Sequence, residues 1–219
     1  MSEKSEKTRG KSEPTAADIL ARDVIRGIYE GYYVAGQRLA EPDLGDRYGL
    51  SRSSVREGLK QLAADGIVVL LPFKGAQIRK LTRREAENLF SITEVILGLA
   101  ARQAAAHIDE DGARDKLTAS FEAIAEQRES DDRHAFIRHR NRYFRTLVDI
   151  NGNDELWRLL PKLQVHLIRN RLAVPRDDRI QGYREITDAI LSGDEDAAEQ
   201  AARRYVRKTA SCALPEFTE

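Results

Sequence analysis

The sequence predicts a mainly α protein in two parts: an N-terminal unit in which short helices are closed by a small β-hairpin, and a C-terminal antiparallel all-helical bundle. Three observations predict it. Apolar residues recur with helical spacing from residue 15 almost to the end. One run, Ile67-Val68-Val69-Leu70-Leu71, is β-rich, and the turn signal Pro72-Phe73-Lys74-Gly75 follows it. Beyond Leu81 there is no strand signal, and breakers cut the remainder into helix-length pieces.

The elements follow in order. Residues 1–14 are rich in Ser, Lys and Glu without an apolar core; they are not a signal peptide and read as a disordered tail that touches phosphate weakly at most. Ile19, Leu20, Val24 and Ile28 mark an amphipathic helix over 15–29, with Thr15 as N-cap and Gly31 as stop. Residues 32–39 are irregular. A short helix over 41–48 ends at Gly49, and Ser51 caps a second helix running to about residue 65. Two short helices joined by a tight Gly-containing turn form a helix-turn-helix. The hairpin behind it, with Ala76-Gln77-Ile78-Arg79 as its return strand, is a wing. The winged helix-turn-helix domain therefore spans 15–80, and the helical domain 81–219.

In that second domain helices are expected over 83–107, 113–128, 133–150, 154–172, 178–191 and 195–211. Asp111-Gly112, Ser130-Asp131, Asn151-Gly152-Asn153, Pro175 and Ser192-Gly193-Asp194 separate most of them. Pro161 either kinks the fourth helix or moves its start later.

Composition narrows the function classes. Hydrophobic residues make up 41% and charged residues 33%, a mixture suited to amphipathic helices. Net charge is zero, so the whole molecule is no electrostatic glue for nucleic acid. Residues 15–80 carry 10 Lys and Arg against 8 Asp and Glu, and residues 81–219 carry 22 against 25. That asymmetry permits a DNA-facing N-terminal half. The single Cys212 allows no intrachain disulfide, which fits a reducing cytoplasm, and it lacks an obvious His partner for nucleophilic work. No apolar run is read as approaching a membrane span, so no membrane is expected.

The helix after Ser51 carries the chemistry. Val55, Leu59 and Leu62 form one apolar stripe, while Arg52, Arg56 and Lys60 form a cationic one on another face. Arg bonds bidentately to guanine in the major groove, or to phosphate. Ser51, Ser53 and Ser54 crowd the N-terminal end, which enters the groove and whose positive terminus favours phosphate. On an isolated helix such a stripe is an ordinary solvated face. The preceding short helix and the following wing with Lys74-Gly75 at its tip favour DNA recognition.

These residues carry a family resemblance. Gly36-Gln37-Arg38-Leu39, the run from Leu44 through Leu59, then Leu62-Ala63-Ala64-Asp65-Gly66-Ile67-Val68 and Gly75 resemble the GntR family of bacterial regulators over about 65 residues. Leu99-Ala100-Ala101-Arg102, Phe144-Arg145-Thr146-Leu147, Gly152-Asn153 and Ala189-Ile190-Leu191-Ser192-Gly193-Asp194 are similar to the FCD effector domain of its FadR subfamily, in the shorter six-helix, VanR-like form. The resemblance implies a homodimer bound to an inverted-repeat DNA operator and a small effector held in the helical domain. It implies DNA contacts for Ser51, Arg52, Ser53 and Arg56, and for Lys74 and Gly75 at a wing tip in the minor groove. Pro42 departs from the pattern, since relatives often place a DNA-touching Arg there.

Many FCD domains hold a divalent metal through one Asp and three His. Those positions fall here on Asn141, Arg145, Tyr183 and Tyr205, and none is a good ligand. His107, His134, His139 and His166 lie elsewhere, so the expectation is no metal and no other cofactor. Asn141 and Arg145 share a helix face. If it points inward, Arg145 would bind the carboxylate of a small organic acid, with Tyr183 and Tyr205 as hydroxyl donors and walls. The alternative is an internal Arg–Glu pair with two core tyrosines. The Arg and Glu that relatives often carry on the first effector helix are here Thr93 and Leu97, which leaves Arg145 as the replacement anchor. His166 either faces the same cavity or is a core histidine, and Trp157, Leu156, Leu160, Leu163 and Leu167 read as core.

The expectation is a cytoplasmic, ligand-responsive transcriptional regulator, a repressor of a catabolic operon. The alternatives are an enzyme built on the bundle with a winged-helix docking module, and a winged helix used for protein contacts alone. The chain offers no Gly-rich phosphate loop, nucleophile motif or catalytic residue. Its acidic pairs fall at expected helix starts, where they suit the helix dipole.

Overall fold

The computed structural model describes residues 14–110, 112–159 and 174–217. Helix α1 is Ala16–Glu30. Its first turn is locked reciprocally: the Thr15 hydroxyl accepts from Asp18 N–H, and the Asp18 carboxylate accepts from Thr15 N–H. These bonds hold the Asp18 carboxyl below its ordinary range. Strand β1 (Arg38–Leu39), helices α2 (Glu41–Tyr48) and α3 (Arg52–Ala64), and strands β2 (Val68–Leu71) and β3 (Gly75–Ile78) complete the N-terminal unit. The sheet order is β1-β3-β2, antiparallel throughout, with Leu39 opposite Ala76 and Leu71 opposite Gly75. The third strand, β1, was expected to be irregular chain; two residues are too few to show period-2 alternation.

One apolar core holds this unit together. Leu20, Val24 and Ile28 of α1 meet Val55, Leu59 and Leu62 of α3, with Ile67, Ala76 and Ile78 of the sheet beneath. Helices α1 and α3 approach closely at Gly58, where an added Cβ would stand 3.0 Å from the Ala17 carbonyl. Even a methyl group there would require α1 or the Leu20 side chain to give by a few tenths of an ångström.

The helical part comprises α4 (Arg83–Ala106), α5 (Ala113–Ala125), α6 (Arg133–Asn151), α7 (Asp154–Leu159), α8 (Arg176–Leu191) and α9 (Glu195–Ala213), then a 3₁₀ turn at Leu214–Glu216. The helix expected over 154–172 is described only in its α7 portion. Pro161, Leu160, Leu163, His166 and Leu167 lie outside the described residues, as does the tail over 1–13. Leu156 is buried, as expected.

Helix α4 corrects one expectation. By length and composition it is apolar enough to cross a membrane. Its small residues Ala101, Ala104 and Ala105 are instead buried in the core, which also takes Ala198, Ala201 and Ala202 of α9. Ion pairs flank the α4–α9 contact: Glu94 with Arg207 at 2.7 Å and Arg203 with Glu199 at 2.7 Å.

The two units meet where α1 ends. The last four carbonyls of an α-helix have no partner inside it. Gly27 O accepts from Tyr32 N–H at 2.8 Å, and Ile28 O from Gly31 N–H at 3.1 Å. The other two are satisfied from α6: Asn141 Nδ2 donates to Tyr29 O at 3.2 Å, and His134 Nδ1 donates to Glu30 O at 2.7 Å. The His134 ring also stacks on Tyr32, centroids 4.1 Å apart.

Candidate DNA interface and effector cluster

The turn between α2 and α3 is built so that α3 begins exposed. Ser51 is extended, and its Oγ accepts from Ser54 N–H at 3.2 Å, capping the helix. The hydroxyls of Ser53 and Ser54 lie 2.9 and 3.0 Å from the same Oγ. With Val55, Gly58, Leu59 and Leu62 buried, the phase of the helix is fixed. Arg52, Ser53, Arg56 and Lys60 must then face water, and all four are exposed.

Arg56 is partly committed. Its Nε donates to Glu41 Oε2 of α2 at 2.9 Å, with the Arg side chain 64% exposed. An ion pair that open is worth about 0–1 kcal/mol. It aims the side chain without competing strongly with DNA, and it leaves the two terminal amino groups of the guanidinium for a base or phosphate. A second network braces α2 against α1: Tyr48 O–H donates to Asp23, and Arg47 donates to the Tyr33 oxygen at 2.7 Å. Burial and the Asp23 carboxylate raise the Tyr48 phenol well above its ordinary range.

At the wing, Lys74 is exposed and Gly75 is buried. Of the two residues expected at the DNA, Lys74 is the one with a solvent-facing side chain. Gly75 lies under β1, where a Cβ would come within 2.3 Å of Leu39 O. It closes the hairpin rather than presenting a surface. Sequence reasoning passed over Phe73, which is the exposed tip. Its signal was available: a large apolar residue in a turn.

In the helical part Tyr183 and Tyr205 come together. Tyr205 O–H donates to the Tyr183 oxygen at 2.8 Å, and the rings are 5.0 Å apart. Phe144 meets Tyr183 edge-on at 5.5 Å, and the Tyr143 hydroxyl is 3.0 Å from Thr187 Oγ1. Burial raises the Tyr183 phenol well above its ordinary range, although the guanidinium charges of Arg140 and Arg179 oppose the rise.

Arg145 is not part of this cluster; it is exposed. The phase of α6 is set by Phe136, Tyr143, Phe144 and Leu147, and five residues of helix rotation put Arg145 well off the side that buries Arg140. Arg140 is the buried guanidinium, only 2% exposed, and its Nη2 donates to Asn141 Oδ1 at 3.1 Å. Arg179 of α8 lies with its guanidinium carbon 4.9 Å from the Phe136 ring centre, and among the described residues its buried Nε has no hydrogen-bond partner. Asn141 faces α1 and not the tyrosines. Thr93 is half-buried and spends its hydroxyl on Leu89 O at 2.7 Å within its own helix. His166 lies outside the described residues.

The four positions that would hold a metal in similar domains do not fit one. Arg145 is a cation, the Asn141 amide is committed to Arg140 and Tyr29, and Tyr183 is a buried neutral phenol bonded to Tyr205. Among the described residues no group of three or more His, Cys, Asp or Glu is placed to hold a metal ion.

Comparison with known proteins places both parts. Residues 16–78 match the family described as bacterial regulatory proteins, gntR family, and residues 88–208 match the FCD domain. Among relatives, the "Probable D-xylose utilization operon transcriptional repressor" of Paenarthrobacter nicotinovorans is 27% identical over 196 residues, 88% of this chain and 86% of that protein. The HTH-type transcriptional repressor RspR of Escherichia coli K12 is 25% identical over 198 residues, 87% of this chain and 83% of its own. The fold is similar to that of E. coli McbR/YncC, with a TM-score of 0.80 at 14% identity, over 92% of this chain and 98% of the other. A GntR regulator from Rhodococcus sp. RHA1 gives 0.76 at 19% identity, with the same coverage of each chain.

Proposed function

Because this chain belongs to the gntR family of bacterial regulatory proteins and carries that family's FCD domain, which makes it a transcriptional regulator and not an enzyme, we propose that it binds an inverted-repeat operator as a homodimer and releases or tightens on that operator when a small organic anion enters the helical domain. The reading makes it a cytoplasmic repressor of a catabolic operon. The observation that carries DNA recognition is the outward face of α3, where Arg52, Ser53, Arg56 and Lys60 stand exposed on a helix whose other face is locked in the core.

The dimer reading rests on α4. Ile92, Val95 and Leu99 are 46%, 52% and 38% exposed and recur at i, i+3 and i+7 on one face. A second copy supplies an identical stripe, as two-fold interfaces require. Val95→Asp is expected to give monomers in light scattering at concentrations where the parent is dimeric.

The effector reading rests on Arg140 and Arg179. The charges of two guanidinium groups act on the Tyr183 phenol, and among the described residues the buried Nε of Arg179 has no acceptor. A carboxylate satisfies both electrostatics and hydrogen bonding. The anchor is therefore Arg140 with Arg179, in place of Arg145. The pocket works without metal: elemental analysis after chelator-free purification is expected to find no stoichiometric divalent ion, and one Zn, Ni or Mn per chain would contradict this. The test of function is selection of duplexes by the purified protein, followed by binding across a salt series. An inverted repeat with salt-dependent affinity is expected; failure to enrich any duplex would refute the reading.

A further inference from the structure

The tip of the hairpin breaks two local rules at one residue. Lys74 N–H donates to Leu71 O at 3.1 Å and closes a turn with Pro72 and Phe73 at its centre. Phe73 has φ +59°, and among the described residues it is the one non-glycine with a positive φ. The third position of a turn with that geometry ordinarily belongs to Gly or Asn, because a Cβ crowds the backbone there. The same side chain stands wholly in water, with a relative exposure of 108%. Large aromatic side chains are ordinarily removed from it. Both features work against the stability of the fold, and coincident local penalties of this kind gather at functional positions.

The ring is presented from a stiff stalk. Leu71 pairs with Gly75 at the base of the loop, Gly75 is wedged beneath Leu39, and Arg38 Nε donates to Lys74 O at 2.9 Å. The hairpin is tied directly to the recognition helix, since Ile67 N–H donates to Leu62 O at 2.9 Å. Val69 and Leu70 are also exposed, but as successive strand residues they point to opposite faces and do not extend the ring into a patch.

The neighbours of Phe73 say what it meets. Lys74 and Arg38 are both exposed beside it. An aromatic flanked by cations suits a duplex groove, which offers phosphates along both walls and apolar stacking surface between base pairs; an apolar protein surface would leave the cations without partners. We propose that Phe73 is a minor-groove wedge. Its ring enters between two base pairs at a flexible pyrimidine–purine step, partly unstacks them and bends the operator, while Lys74 holds an adjacent phosphate. Specificity then arises at a step that no hydrogen bond reads. The inference rests on the DNA-binding reading above.

Phe73→Asn tests it, because Asn tolerates the left-handed backbone. Its melting temperature is expected to equal or exceed the parent's, while affinity for the selected operator falls by about tenfold, the scale of one lost base contact. The bend, read by energy transfer between dyes at the duplex ends, is expected to collapse toward that of free DNA. The slope of log affinity against log salt is expected to stay put, since no phosphate contact is lost. Lys74→Ala gives the opposite pattern: the bend persists and the slope falls by about 0.9 per protomer. Phe73→Trp is expected to restore bending. A Phe73→Asn variant that binds and bends the operator like the parent overturns the proposal. So does one whose lost affinity tracks a change of oligomeric state in light scattering, which would assign the ring to a second copy. If the parent itself enriches no duplex, it is the DNA-binding reading that fails.

Discussion

Helices α3 and α6 both carry arginines, and they use them in opposite directions. On α3 the guanidinium groups of Arg52 and Arg56 stand in water above an apolar face. On α6 Arg140 is turned into the core among Phe136, Tyr143 and Phe144. An exposed guanidinium adds little to folding and stays available to any anion that arrives. A buried one is costly to desolvate and must be met by acceptors inside the protein or on a ligand. On the proposed function, one helix addresses a polyanion outside and the other a small anion within.

The largest expected effect tests the outward half of this contrast. Arg52→Ala or Arg56→Ala is expected to weaken operator binding by roughly 1–3 kcal/mol per lost base contact, counted twice in a dimer, with the melting temperature unchanged. Equal affinity for parent and variant at fixed salt would show that α3 does not read DNA.

Next comes the inward half. Arg140→Met leaves the Asn141 oxygen without its donor, at a cost of about 1–3 kcal/mol. It is also expected to abolish the thermal stabilisation that an organic acid gives the parent, since such stabilisation reports binding to the folded state. Arg140→Lys is expected to recover part of that response, because an ammonium lacks the guanidinium fork. A panel of organic acids that stabilises Arg140→Met as well as the parent would remove Arg140 from the site.

A smaller effect separates surface pairing from burial. Arg207, with Arg203 beside it, holds the Glu94 carboxyl below its ordinary range. A carboxyl with a depressed folded-state value contributes stability above its unfolded value, and that contribution disappears as pH falls through the folded one. The melting-temperature gap between parent and Glu94→Gln is therefore expected at neutral pH and should close as pH drops below the carboxylate range. A gap that persists in acid would mean that Glu94 acts by shape and not by charge.

The smallest effect is the control. Arg145→Ala is expected to shift stability by no more than about 0.5 kcal/mol, as for an exposed position. It should also retain the response to organic acids. Loss of that response would return Arg145 to the site.

Much of this was legible in the sequence, and the misses have physical causes. Val55, Leu59 and Leu62 fixed the phase of α3, so its exposed cations followed. Thr15 announced the start of α1. The inward arginine was misplaced because Arg145 was taken from the position of a metal ligand in similar domains. The helix's own apolar stripe, Phe136, Tyr143, Phe144 and Leu147, selects Arg140, and reading the stripe first would have found it. Gly75 was placed at the wing tip because a turn signal does not say which of its residues faces out; the overlying β1, too short to be periodic, decides that. The pairing of Tyr183 with Tyr205 needed two helices in register, which only the assembled fold provides.

The end of α1 has a consequence for how the chain is made. Its last two carbonyls are satisfied by Asn141 and by His134, which lies 104 residues downstream of Glu30. At roughly 5–20 residues per second of synthesis, that final turn waits on the order of 5–20 s on the ribosome for the residues that complete it. Until then the N-terminal unit can collect its core, and water stands in for those two donors at the end of its first helix. The docking of the N-terminal unit on α6, with Arg140 already in that helix, is thus a late event in synthesis.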